Sequence, residues 1–135
     1  MILCGIPAAG KTTRYQAEYA KTHVHLSLDR IESGSRKREW DLFCAAIARG
    51  DSIVIDNTNL TPKHRARYIP SARAAGYRVV GIELKVSVEE ALKRNAGRKN
   101  KIPEVALRAR AKEFVGLKAE EGFDVLLRDH RNPES

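Results

Sequence analysis

The stretch "GIPAAGKTT", residues 5–13, decides the fold. It matches G-x-x-x-x-G-K-[ST] at Gly5, Gly10, Lys11 and Thr12. The chemistry accounts for the spacing. The chain must curl round a β-phosphate with its backbone N–H groups turned inward, and glycine permits both the curvature and the close approach. Lysine beside the loop brings a mobile charge to the β- and γ-phosphates, and the hydroxyl after it ligates Mg²⁺. The helix that follows aims its positive end at the same phosphates. With glycine at about 7% of residues and ordinary Lys and Ser/Thr usage, a chance match in a chain of this length comes to roughly half a percent. The flanks agree with the motif: "ILC" (2–4) reads as a short buried strand and "KTTRYQAEYAKT" (11–22) as a helix with Tyr15 and Tyr19 four apart. Triphosphate binding is therefore predicted, but the loop alone does not separate a kinase from an ATPase. A GTPase would carry an N-K-x-D element to read guanine, and this sequence has none.

Outward from the loop, short apolar runs alternate with amphipathic segments. "HVHLSL" (23–28) and the apolar "SIVID" (52–56) read as strands, as do "RVVGIELKV" (78–86) and "FDVLLR" (123–128). "SRKREWDLFCAAIARG" (35–50) reads as a helix with Trp40, Phe43 and Ile47 on its buried face and Gly50 as its stop. Thr61 and Pro62 supply an N-cap and first-turn proline for a helix to Ala75, with Gly76 as its stop and Pro70 bending or breaking it. Further helices are predicted from about 88 to 95 and from Pro103 to about Val115, separated by the basic loop "AGRKNKI". Strands and helices alternating in this way predict a single α/β domain: a doubly wound, mostly parallel five-stranded sheet with helices on both faces.

The 135 residues suffice for one domain with one core. No apolar run approaches the roughly 20 residues of a membrane span, and no leader pattern precedes the loop, so a soluble cytoplasmic protein with no membrane contact is expected. Cys4 and Cys44 read as reduced core residues. The net charge of +8 is regional: residues 61–112 carry fourteen Lys and Arg against four Glu, while the remainder is slightly acidic. Such a block serves either as solvated helix faces or as a surface for phosphates. Tyr15, Tyr19 and Trp40 are expected in the core and Tyr68 at the surface, which leaves electrostatics to dominate any binding of a strand. His23 and His25 alternate on the second strand, and the lack of a third ligand nearby favours packing over a metal pair. Asp29 and Asp56 follow the second and third strands, where a parallel sheet presents its reactive groups; a helix cap or surface turn is the plainer use of either.

"GIPAAGKTT", "VHLSLDR", "VIDNTNLTP" and "ALKRNAGRKNKIPEVALRARAKEF" together resemble, in order and spacing, the 5′-kinase domain of polynucleotide kinases over roughly residues 1 to 128. The resemblance implies a P-loop kinase fold with an Arg-rich lid, using ATP and Mg²⁺ to phosphorylate the 5′-hydroxyl of DNA or RNA. In that case Gly5, Ile6, Pro7, Ala8, Ala9 and Gly10, with Lys11, Thr12 and Thr13, cradle the phosphates. Thr12 ligates Mg²⁺, with Asp56 acting on it through water or bracing the base. Asp29 matches the general base, Arg98 the lid arginine that stabilises the transferring phosphoryl group, and Arg94 its companion. Arg30, Asp56 and Asn59 fall on the acceptor side. The pattern departs at Ser27–Leu28–Asp29, where the family commonly has Asn-Arg-Asp, and at Glu32, where phage members carry Arg. Arg30 or the basic residues 36–38 would have to compensate for that lost charge.

Two other readings stand beside this one. The same chemistry could serve a small-molecule or nucleotide-sugar acceptor, or ATP could regulate a partner with no transfer at all. The 135 residues contain no phosphatase or ligase domain, so any such end-healing step would belong to a separate protein.

Overall fold

The computed structural model describes residues 1–5, 11–28, 31, 35–97 and 102–129. The side chains of Thr12 and Thr13 lie outside that description, as do Asp29, Arg30, Glu32 and Arg98. Five strands form one parallel sheet: β1 (Ile2–Cys4), β2 (Val24–Leu26), β3 (Ile53–Asp56), β4 (Val80–Leu84) and β5 (Val125–Asp129). Their order is β2-β3-β1-β4-β5, so the loop after β1 leaves from the centre of the sheet. Between the strands lie α1 (Lys11–Glu18), α2 (Arg36–Arg49), α3 (Pro62–Arg65), α4 (Ile69–Ala74), α5 (Val88–Ala96) and α6 (Glu104–Glu113), with a 3-10 turn at Ala119–Glu121. This is the doubly wound α/β architecture that the alternation predicted.

Register explains how the short strands serve two cores. Leu3 aligns with Asp56 and Ile82, and His25 with Val54; this face meets α1, α5 and α6 through Tyr15, Ala91 and Leu107. Ile2 aligns with Ile55 and Gly81, and this opposite face meets α2 and α4 through Phe43, Ala46 and Ile69. Gly81 is required by a close approach, since a Cβ there would stand 2.6 Å from Phe123 Cε1.

Several expectations need correction. The helix expected from 61 to 75 is two helices, and Pro70 does not interrupt either. It sits in the first turn of α4, where a missing N–H costs nothing, so the break falls before it, at residues 66–68. Thr61 does cap α3, its side chain accepting from His64 N. The second strand is shorter than 23–28 because Leu28 N donates to the side chain of Asn57, 2.8 Å away, and not to a ladder carbonyl. On α2 the buried face is Glu39, Phe43 and Ala46, with Trp40 and Ile47 only partly covered. The inward turn follows from the partners that receive Glu39, Asn57 and Tyr68. Tyr68 is thus a core residue, and Cys44 is exposed.

The largest fully buried side chain is Arg65, at 0% exposure. Its Nε donates to Glu121 Oε1 at 2.7 Å and its Nη2 to Glu121 Oε2 at 2.8 Å, a bidentate pair. Nη1 donates to Asn59 O at 2.9 Å and to Val115 O at 2.9 Å. Burial is the largest influence and opposes the charge, but the hydrogen bond and charge of Glu121 together with the Cys4 sulfur outweigh it, and the guanidinium pKa stands above its usual value. Replacing Glu121 by Ala leaves that cation buried and unpaired, so the unfolding free energy should fall by about 3 kcal/mol or more. Urea titration reads this directly, and a loss below about 1 kcal/mol would show the pair to be dispensable.

Candidate functional site

All five strands point the same way, so the loops after β1, β2 and β3 gather at one edge of the sheet. Hydrogen bonds tie these three loops together. Gly5 N donates to Thr58 O at 3.0 Å, and the Cys4 thiol donates to Asn59 O at 2.8 Å. Burial pushes that thiol up to about 11, which keeps it protonated and able to donate. Asn59 takes a left-handed backbone (φ 47°), a conformation Asn tolerates better than most residues, and its Nδ2 donates to Leu3 O at 2.8 Å. The loop after β3 is in this way fastened to the strand that feeds the phosphate loop.

Lys11 opens α1 and is almost fully buried, with its Nζ donating to Gly5 O at 3.0 Å. An ammonium at a helix N-terminus suits a polyphosphate, since both the charge and the helix dipole favour an anion there. Of the phosphate-loop residues, Ile6, Pro7, Ala8, Ala9 and Gly10 lie outside the described residues. Among the described residues no group of three His, Cys, Asp or Glu side chains is placed to hold a metal.

Asp56 ends β3 with its side chain 2% exposed, and its Oδ2 lies 2.7 Å from His25 Nε2. The His25 ring stacks on Tyr15 at 3.9 Å between centroids, and Tyr15 Oη donates to His23 O at 2.9 Å. The His23 ring has its Nδ1 2.7 Å from Thr22 Oγ1 and meets the Tyr19 ring edge-on at 5.3 Å between centroids. Along the open edge of β2 runs a groove of about 380 Å³ lined by Tyr15, His23, His25, Ser27, Ile31 and Leu42, among others. It reaches the chain just before Asp29, which is itself outside the described residues.

On the lid side, Arg94 lies on α5 with its Nε 3.4 Å from Glu90 Oε1. Asn95 closes the stem of the next loop: its Nδ2 donates to Ile102 O at 2.6 Å and its Oδ1 accepts from Ile102 N at 2.9 Å. Arg98 falls within the segment so closed and outside the described residues. The basic block is partly committed to ion pairs, Arg65 with Glu121, Arg73 with Asp124, Arg108 with Glu104 and Arg110 with Glu113.

Sequence reasoning missed a buried polar cluster behind the acceptor side. Glu39, at 0% exposure, accepts from Tyr68 Oη and from Asn57 Nδ2. Burial, with the neighbouring carboxylate, pushes the Tyr68 phenol well above its ordinary range. One signal was available: Glu39 stands four residues before Phe43, on the apolar face of its helix.

The left-handed residue separates two contributions in an experiment. Asn59→Ala loses the Leu3 bond and strains the backbone, which should cost about 2–3 kcal/mol; Asn59→Gly loses only the bond, at about 1 kcal/mol. Equal losses in thermal or urea unfolding would show that the conformation contributes nothing.

Residues 1–120 match a family model described as an AAA domain. Among solved structures the chain is similar to a fungal RNA kinase, with a TM-score of 0.72 and 14% identity, covering 94% of this chain and 37% of that one. It is similar to Kti12 of Chaetomium thermophilum in complex with ADP-AlF3 (TM-score 0.65, 17% identity, 94% and 86% covered). It is also similar to a gluconokinase from Sinorhizobium meliloti 1021 (TM-score 0.66, 14% identity, 97% and 82% covered). The fold is thus the P-loop kinase fold, while the chain spans 37% of the fungal enzyme's length. The chain belongs to the AAA domain family that its first 120 residues match.

Proposed function

We propose that the chain is an ATP- and Mg²⁺-dependent kinase that transfers the γ-phosphate to the 5′-hydroxyl end of DNA or RNA. The observation that carries this reading is the loop after β3, which touches both halves of the reaction. Thr58 O accepts from Gly5 N, at the mouth of the phosphate loop, and Asn57 Oδ1 accepts from Leu28 N, next in sequence to Asp29. The described residues next in sequence to the phosphate loop and to Asp29, Gly5 and Leu28, are thus both tied to the loop after β3, which supports the reading. The P-loop kinase fold and the likeness in fold to an RNA kinase agree with it.

In this proposal Gly5 to Thr13 hold the triphosphate, with Lys11 supplying charge to its β- and γ-phosphates. Thr12 would ligate Mg²⁺, which supplies charge neutralisation there. Asp29 takes the proton from the 5′-hydroxyl, whose oxygen attacks the γ-phosphorus as ADP leaves. Arg98 and Arg94 cover the transferring group, and Arg94 must exchange its contact with Glu90 to do so. Arg30 is assigned to the acceptor, whereas the Asp56 carboxylate is engaged with His25 and the Asn59 amide with Leu3. No described helix is long and apolar enough to cross a membrane, and the proposed setting is the cytoplasm.

A small-molecule hydroxyl is the second reading. It is favoured by the ion pairs that consume part of the basic block and by the share of the gluconokinase chain that is covered. Labelled γ-phosphate from ATP should appear on single-stranded, nicked or tRNA-like 5′-hydroxyl ends, and Asp29→Asn should abolish that transfer while ATP still binds. Affinity for a single strand should fall with salt by about 0.7 log units per phosphate contacted and per log unit of salt, unlike that for a neutral sugar. Labelling of a sugar with no labelling of any nucleic-acid end would replace the first reading by the second. ATP bound without transfer to either would point to a regulatory module.

A further inference from the structure

The proposed reaction uses Asp29, yet a buried polar cluster linked to the neighbouring Leu28 lies on other elements and has no task in the transfer itself. Glu39 projects from the first turn of α2 into the interior, where a carboxylate is costly unless its oxygens are satisfied. Tyr68 Oη donates to Oε1 and Asn57 Nδ2 to Oε2; the guanidinium of Arg67 stands no nearer than 4.0 Å to Oε1. A carboxylate that takes two donors fixes which way a neighbouring amide faces. The NH₂ group of Asn57 must turn toward Glu39, and its carbonyl oxygen must turn away. That oxygen accepts from Leu28 N at 2.8 Å. A side chain on α2 thereby sets an amide on the loop after β3, which in turn fixes the end of β2.

We infer that Glu39 and Asn57 are positioning residues for phosphoryl transfer: the Glu39 carboxylate orients the Asn57 amide, and that amide anchors the backbone at Leu28, the residue next in sequence to Asp29. The inference rests on the reading of Asp29 as the base. It also gives a use to the acceptor-side departure from the family pattern. With Leu28 at the position that resembles an arginine in relatives, the backbone there is held through its N–H, a contact that no side chain at position 28 needs to supply.

A chain held in this way loses turnover when released, because a displacement of about 1 Å at a reacting group costs roughly 100-fold in rate. Asn57→Ala should therefore lower kcat for labelled phosphate transfer to a 5′-hydroxyl oligonucleotide by roughly 100-fold, with KM for ATP unchanged. Hydrogen exchange at the Leu28 amide should accelerate in the same variant, a readout independent of turnover.

Glu39→Gln tests the orienting step. The glutamine oxygen is the one acceptor left on that side chain, and Tyr68 competes with Asn57 for it. When Tyr68 wins, the glutamine NH₂ faces Asn57, the Asn57 amide flips, and its own NH₂ opposes Leu28 N. This variant should lose turnover, and adding Tyr68→Phe should restore part of it by leaving the oxygen to Asn57. Tyr68→Phe in the otherwise unchanged protein should lower stability without that loss of kcat. A purely structural role predicts the reverse, a double variant worse than either single one.

Normal kcat in Asn57→Ala, or no recovery in the Glu39→Gln, Tyr68→Phe protein, would overturn the inference while leaving the proposed activity standing. A wild-type protein that phosphorylates no 5′-hydroxyl would instead overturn the functional reading, and the inference with it.

Discussion

The fold depends on one buried cation. Arg65 ends α3, yet its guanidinium reaches the loop after β3 at Asn59, the end of β1 at Cys4, and the chain leaving α6 at Val115 and Gly116. Glu121 closes the arrangement as a bidentate counter-ion. A planar group with five donors can satisfy several carbonyls from different segments at once, which a lysine cannot do. Removing a charge from water is expensive, so such an arrangement persists only where every donor is met. The consequence is geometric: the chain from Val115 to Glu121 is locked against the edge of the sheet where the phosphate loop begins. Leu60 O, accepting from Val115 N at 2.7 Å, strengthens the same join.

A second polar centre lies beside it on β4. Glu83, buried at 4% and aligned with Cys4 across the sheet, accepts from Leu117 N at 2.8 Å, and Arg128 Nε stands 3.7 Å from its other oxygen. A Cβ on Gly116 would come within 2.8 Å of the Glu83 carboxylate, so the chain passes there as bare backbone. Polar groups are thus concentrated along one rim of an otherwise apolar sheet. Backbone that must turn at strand ends carries unpaired N–H and C=O groups, and buried side chains satisfy them where secondary structure cannot.

What was legible in the sequence is what is local. The five strands announce themselves as apolar runs, and Thr61 with Pro62 marks a helix start within four residues. The parts that escaped depend on partners distant in the chain. Arg65 and Glu121 are 56 residues apart, and Tyr68 and Glu39 are 29 apart; each in isolation reads as a surface charge or an exposed ring. Helix α2 shows the limit: periodicity located a buried face within one position, but only Asn57 and Tyr68 explain why a glutamate lies in it. The use of the basic block stayed open for a related reason, because composition does not pair charges, and Arg73, Arg108 and Arg110 stand against Asp124, Glu104 and Glu113.

The loop Asp56–Asn59 brings these strands of argument together. Each of its side chains or carbonyls serves a different neighbour: Asp56 meets His25, Asn57 sets Leu28, Thr58 takes Gly5 N, and Asn59 holds Leu3 and receives Cys4 and Arg65. Such a loop cannot shift without moving both the strand that leads into the phosphate loop and the strand that leads to Asp29. A catalyst that relies on positioning more than on covalent chemistry gains from that coupling, since the relative placement of two reactants matters more than the placement of either. The left-handed backbone at Asn59 is consistent with this use: an uncommon conformation is retained where several hydrogen bonds from separate segments fix it together.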